Sequence, residues 1–173
     1  MVVTDPADLT EQALGAARAR KLSIVTAESC TAGRLAALLS QAPGASDCLH
    51  GGFVAYTKAN KTVALGVSSE LLRRKGAVCP EVAVAMAEGA LARSPADVAV
   101  AITGVAGPDR DEDGNPVGVV CIAVARRGGR TVHCERHYGA LGREAIQCRA
   151  MTEALQELIR AIEAVEPKAS AMQ

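Results

Sequence analysis

Apolar and polar positions change period several times along the chain, and each change marks the end of one element and the start of another. From Pro6 to about Arg20, Leu9, Ala13, Leu14 and Ala17 recur on one helical face, with Asp5 and Pro6 suited to open the helix. Leu22 to Thr26 is a short β-branched run that reads as a strand. It stops at ESCTAG, and Leu35, Leu38 and Leu39 then return to the i, i+3, i+4 spacing of a helix. GGFVAY, Gly51 to Tyr56, reads as a second strand, and the TKANKTVALGV that follows reads as a polar, charged stretch beyond its end. Ser68 or Ser69 can cap a short helix through Leu71 and Leu72 that Gly76 closes. Pro80 opens another helix, to about Arg93, with Val82, Met86 and Ala90 on its apolar stripe.

The second half is richer in strands. Val98 to Thr103 reads as a strand ending in the glycine-rich turn Gly104 to Pro108, followed by the acidic loop Asp109 to Pro116. Val117 to Ala125 is almost continuously apolar, as in a central strand buried on both faces. Thr131 to Tyr138 alternates and reads as a hairpin partner nearer an edge. A last helix spans about Arg143 to Val165, with Met151, Ala154, Leu155, Leu158, Ile159 and Ile162 on one face; EPKASAMQ should be a frayed tail. Strands alternating with helices predict an α/β protein.

Composition narrows the function. At 173 residues and 49% hydrophobic, the chain can bury a full core, and one domain is the default, with an ordered part of about residues 6–165. One Phe, two Tyr and no Trp leave little to stack on bases, and 19 basic residues against 19 acidic ones remove the broad positive field that nucleic acid or an anionic membrane requires. No apolar run approaches bilayer length and the N-terminus carries no leader pattern, so a soluble cytoplasmic protein is expected. The six cysteines form no CxxC pair, which suggests neither a zinc framework nor a disulfide scaffold. His133, Cys134 and His137 lack a matching ligand cluster nearby, and no metal is expected.

Candidate chemistry gathers at the turns. ESCTAG puts Ser29 at a sharp strand-to-helix junction, beside the free amides that open a helix, a position suited to a nucleophile next to an anion-stabilising site. Ser29 or Thr31 acting only as an N-cap is the alternative. Cys30 adjoins the serine, and a helix N-terminus can lower a thiol pKa and make it a rival nucleophile. Lys61 and Tyr56 lie near a strand end, where open α/β sheets collect functional groups. The GxxG of Gly104 to Gly107 lacks the further residues of a dinucleotide or P-loop signature. Arg143 at the opening of the last helix is a natural anion site.

TAESCTAG, GGFVAYTKANK, LGVS, GAV, MAEGALARS, DVAVAITGVAGP, NPVG and GALGREAI occur in an order that resembles the CinA C-terminal domain family, over about Leu9 to Ile162. That family includes the nicotinamide-nucleotide amidases. The resemblance implies a three-layer α/β/α domain with a mostly parallel or mixed sheet. It also implies hydrolysis of the carboxamide of nicotinamide mononucleotide, without cofactor, to nicotinate mononucleotide and ammonia. It puts the serine at Ser29, the tyrosine at Tyr56 and the lysine at Lys61, with Cys30, Thr31, Gly33, Thr103, Gly104, Gly107 and Arg143 as substrate contacts. A homo-oligomer, with a dimer favoured, and a stand-alone form of the family are further expectations from the resemblance.

The chemistry is coherent with that assignment. Ser29 attacks, Lys61 acts as base if burial or a neighbouring cation lowers its pKa, Tyr56 relays the proton or fixes the lysine, and amides near Cys30 and Thr31 hold the oxyanion. Three departures from the family pattern stand out: Ala32 where a glycine is common, Lys58 where an asparagine is common, and the acidic Asp109 to Asp113 where a glycine-rich run is common. A non-catalytic interaction module and a Cys30 hydrolase of another small amide are the competing readings.

Overall fold

The computed structural model describes residues 6–165, and the expected C-terminal tail, 166–173, lies outside them. Six α-helices, one 3₁₀ turn and five strands follow in the order α1 (Pro6–Arg20), β1 (Ile24–Glu28), α2 (Arg34–Gln41), the 3₁₀ turn Ala45–Asp47, β2 (Leu49–Val54), α3 (Lys58–Leu65), α4 (Ser69–Lys75), α5 (Pro80–Ala92), β3 (Val98–Gly104), β4 (Val119–Arg126), β5 (Val132–His137) and α6 (Arg143–Glu163). The strands form one open sheet in the order β2-β1-β3-β4-β5. β1 runs parallel to β2 and β3, while β4 is antiparallel to both β3 and β5, so the sheet is mixed.

Burial follows from that order. β1 is buried along its length, β3 up to Gly104 and β4 up to Arg126, where they are covered on both faces, whereas the edge strands β2 and β5 alternate. One core, beneath α1, α2 and α6, takes Ile24, Val100, Ile122 and Leu155; the other, beneath α3, α4 and α5, takes Val25, Ala99, Cys121 and Met86. Alternate residues of each central strand therefore serve opposite helical layers. No helix among the described residues is long and apolar enough to cross a membrane.

Strand ends differ from their expected ranges: β4 begins at Val119 rather than Val117, and β5 is Val132–His137 rather than Thr131 to Tyr138. β1 ends at Glu28 rather than Thr26, because Ala27 and Glu28 continue the ladder opposite Ala101 and Ile102. β2 starts at Leu49, two residues before the expected Gly51, and Ala55 and Tyr56 lie beyond it. The stretch read as polar connection is a helix. α3 opens with Thr57, whose side chain accepts the Asn60 N–H, and closes at Gly66 in the left-handed region at φ 69°. Its position is fixed by Gly89 of α5, where a Cβ would stand 2.0 Å from the Leu65 carbonyl oxygen. The two helices approach backbone to side-chain-free backbone.

Candidate active site

β1 and β3 are parallel neighbours, so the turns after both emerge at the same edge of the sheet. The turn after β1 is held by an acid the sequence reading did not single out. Glu28, fully buried, accepts the N–H groups of Gly33 at 3.1 Å, Leu35 at 3.0 Å and Ala36 at 2.8 Å, and the Thr26 hydroxyl at 3.2 Å. This carboxylate, rather than Ser29 or Thr31, satisfies the opening amides of α2; the N-cap residue is Gly33, at φ 90°, with no side-chain cap of its own. An acidic residue ending a strand five residues before a helix was the available signal.

Freed from capping, Ser29 faces α3. Lys61 Nζ donates to Ser29 Oγ at 2.7 Å, to the Ala55 carbonyl at 3.0 Å and to the Tyr56 carbonyl at 3.4 Å. Lys61 is 1% exposed and Ser29 7%. None of the three acceptors is charged, and among the described residues Lys61 forms no ion pair. Desolvation disfavours the ammonium, and with a smaller contribution from the Lys58 ammonium it brings Lys61 down to about 8. The geometry suits both protonation states. As an ammonium the group donates to all three oxygens; as an amine it keeps two donors for the carbonyls and turns its lone pair toward the serine proton.

Cys30 takes the opposite direction from the one expected of a thiol near a helix start. Burial pushes its thiol up to about 12, which outweighs the nearby Lys61, so it is a packing residue and not a thiolate nucleophile. Its carbonyl accepts the Gln147 Nε2–H at 2.6 Å, and Gln147 Oε1 in turn accepts from Arg34 at 2.6 Å, tying the turn to α6. Among the described residues, the backbone N–H of Thr31 meets no acceptor and that of Cys30 meets only its own sulfur, while that of Ser29 is taken by the Ile102 carbonyl at 2.9 Å. An amide beside a serine without a backbone acceptor can stabilise an oxyanion, and of these two residues Cys30 borders the cleft.

Tyr56 stands apart from the lysine. The residue is 52% exposed, and its hydroxyl accepts from Arg143 at 2.7 Å rather than touching Lys61 or Ser29. Only its carbonyl reaches the amine, so the expected proton relay through the phenol has no hydrogen bond to carry it here. Arg143, at the first position of α6, also donates to the Gly107 carbonyl at 2.7 Å and has no carboxylate partner among the described residues. Gly107 lies at φ 89°, with Val117 closing the space a side chain would need.

These groups line a cleft of about 390 Å³ whose wall includes Ser29, Cys30, Tyr56, Lys61, Gly104, Gly107 and Arg143. Thr103 also borders it, but its hydroxyl is committed to the Ala77 carbonyl at 2.8 Å. Thr31 and Gly33 do not line it: Thr31 is fully buried with an unpartnered hydroxyl, and the Gly33 amide is held by Glu28. The acidic loop does reach the cleft through Asp109, Asp111, Glu112 and Asp113. Lys58 meets it, 2.6 Å from Asp113 and 3.0 Å from Glu112.

The fold and cleft thus define an α/β protein with a buried serine and lysine at the strand edge of a mixed sheet. The chain belongs to the CinA C-terminal domain family, whose model matches residues 6–162. It is 51% identical over 141 residues to a CinA-like protein of Mycolicibacterium vanbaalenii, covering 81% of this chain and 33% of that one. The chain spans about a third of the length of such curated relatives. Solved structures match over nearly their whole length. A competence/damage inducible protein from Agrobacterium tumefaciens superposes with a TM-score of 0.88 at 39% identity, over 94% of this chain and 98% of that one. A competence-damaged protein (CinA) superfamily member from Escherichia coli gives 0.86 at 37%, over 90% of each.

Proposed function

We propose that the protein is an amidohydrolase that cleaves the carboxamide of nicotinamide mononucleotide, with Ser29 as nucleophile and Lys61 as general base. The observation that carries this reading is the 2.7 Å contact between Ser29 Oγ and a buried amine without a counter-ion. A lysine in that state can take up a proton near neutral pH, which an exposed one cannot.

In this reading Ser29 Oγ attacks the amide carbon and its proton passes to Lys61 Nζ. The carbonyl oxygen becomes an oxyanion held at the opening of α2, where Cys30 borders the cleft. Collapse expels ammonia, which takes the proton back from Lys61, and leaves an acyl ester on Ser29. A water then gives its proton to Lys61, adds to the ester, and releases the carboxylate as Ser29 regains its proton. Arg143, free of carboxylates and braced by Gly107 and Tyr56, is placed in this account on the substrate phosphate. Tyr56 orients that arginine.

The test is ammonia release, with identification of nicotinate mononucleotide, from the purified chain given nicotinamide mononucleotide, free nicotinamide or other small amides. Hydrolysis of the nucleotide that disappears in both Ser29→Ala and Lys61→Ala supports the reading. Folded wild-type protein that releases no ammonia, or a Ser29→Ala variant that retains the rate, overturns it in favour of a binding module or another nucleophile. The same preparation analysed by size-exclusion with light scattering tests the homo-oligomer, with a dimer favoured, that the resemblance implies.

A further inference from the structure

Lys58 and Lys61 stand three residues apart on α3 and share one flank of the helix. Lys61 is buried among uncharged oxygens, whereas Lys58 is 29% exposed and reaches across to the acidic loop. Of its two carboxylate partners Asp113 is the fixed one, 25% exposed against 71% for Glu112. Asp113 Oδ2 accepts the Ala77 N–H at 3.0 Å while Oδ1 takes the Lys58 ammonium. The loop that delivers it is internally built: Asp111 Oδ1 accepts the N–H groups of Asp113 at 3.1 Å and Asn115 at 2.7 Å. Gly76 completes the fit, since a Cβ there would lie 2.6 Å from the Asp113 carboxylate.

We propose that Asp113 is a positioning residue for Lys61, acting through Lys58: by neutralising that ammonium it governs how readily Lys61 gives up its proton. The proposal rests on the reading of Lys61 as the base. Its physics is a like charge and its counter-charge. An ammonium three residues away on a helix disfavours a second one, and a carboxylate on the first offsets the repulsion. Lys58 contributes in this sense to the lowered Lys61 value, behind burial and against the opposing influence of Cys30. The loop then tunes the base.

Other charged and titratable groups around Lys61 are common to every variant below. From the β1–α2 turn it faces Cys30, a neutral thiol; from α6, Arg143 stands across the cleft on Tyr56. On the helices packed beside α3, Arg73 is paired with Glu70 and Lys75 with Glu81, while Glu88 accepts from Thr131.

The experiment is a pH titration of the Lys61 side chain by NMR in the intact, lysine-labelled chain, which needs no turnover. Asp113→Asn, which keeps an oxygen for Ala77, should bring Lys61 about one pH unit lower, roughly tenfold in free amine at a given pH. Lys58→Met should move it the other way, and the double variant should match Lys58→Met, because Asp113 acts only through that ammonium; a double variant midway between the two would mean that Asp113 acts directly and overturns the proposal. A purely structural role would shift both single variants in one direction, and that result, or no shift in either, overturns the proposal. Opposed shifts in a protein that hydrolyses no amide would support the tuning and overturn the base reading. In an active protein, the pH at which the rate rises should move with each titration.

Discussion

Replacing Lys61 with methionine should change how stability depends on pH, by an amount the geometry fixes. The amine's pKa falls from 10.5 to about 8 when the chain folds. Between those two values the unfolded chain binds more protons than the folded one, so stability rises with pH across that window. The full effect, about 2.5 pH units at roughly 1.4 kcal/mol each, is about 3 kcal/mol. From about pH 7 to about pH 9 the wild type should gain roughly 1 kcal/mol over Lys61→Met. The methionine also leaves the Ala55 and Tyr56 carbonyls without their donor, a cost of about 1–3 kcal/mol for each. That cost does not vary with pH, so it offsets the two curves without altering the slope of their difference. Cys30, raised from 9 to about 12, pulls in the other direction above pH 9 and is itself held lower by Lys61, so the difference between the two proteins is read below pH 9. Urea unfolding of both proteins in steps from neutral to alkaline pH measures the difference directly. A pH-independent difference would mean that Lys61 folds as an ordinary ammonium, and the base mechanism would lose its footing.

Ser29→Ala should lower the amidase rate by several orders of magnitude while Cys30→Ala retains most of it, and mass spectrometry of quenched reactions should find the acyl group on Ser29. In the native protein a thiol reagent should label exposed Cys148 and spare Cys30; rapid labelling of Cys30 would contradict its burial. Lys61→Arg should be nearly as damaging as Lys61→Ala, because a guanidinium does not release its proton near neutral pH; retention of most activity would make the role electrostatic only. Glu28→Gln should destabilise the fold by about 2 kcal/mol, since an amide set against three backbone donors must turn its own N–H groups toward one of them. Unchanged thermal unfolding of that variant would show that the amides of α2 find other partners.

The alternation of strands and helices was legible because the central strands are apolar on both faces and the long helices keep a single apolar stripe. Pro80, Ser68 and Gly76 marked their helix ends for local reasons that hold in any context. α3 escaped detection because only Lys61 and Leu65 are buried on it, and a lysine counts as polar in any periodicity. Thr57 and Gly66, a capping residue and a left-handed stop nine positions apart, were the usable signal. At the site, Ser29, Lys61 and Arg143 were identified by motif and do line one cleft. The direction of the Cys30 shift was not legible because it follows from burial in the folded core, and the partner of the Tyr56 hydroxyl was not because α6 brings it from nearly ninety residues away. Glu28 was overlooked because a buried carboxylate makes sense only once the amides it accepts are known to converge.

The close approach of Gly89 to Leu65 bears on how loss-of-function variants of this domain are to be interpreted. Gly89 has no side chain, borders no cleft and offers no chemistry, yet any residue with a Cβ must push the carbonyl end of α3 outward. Lys61 rides on that helix one turn earlier. A screen scored on activity alone would rank Gly89→Ala beside changes at the nucleophile and the base. A displacement of α3 by even a fraction of an ångström is enough to uncouple a contact that depends on hydrogen-bond distance. Mapping the site by mutational sensitivity would thus draw it too large, extending it through the helical layer to a residue whose contribution is the absence of atoms. Parallel measurement of folded abundance would separate Gly89 from Ser29 and Lys61.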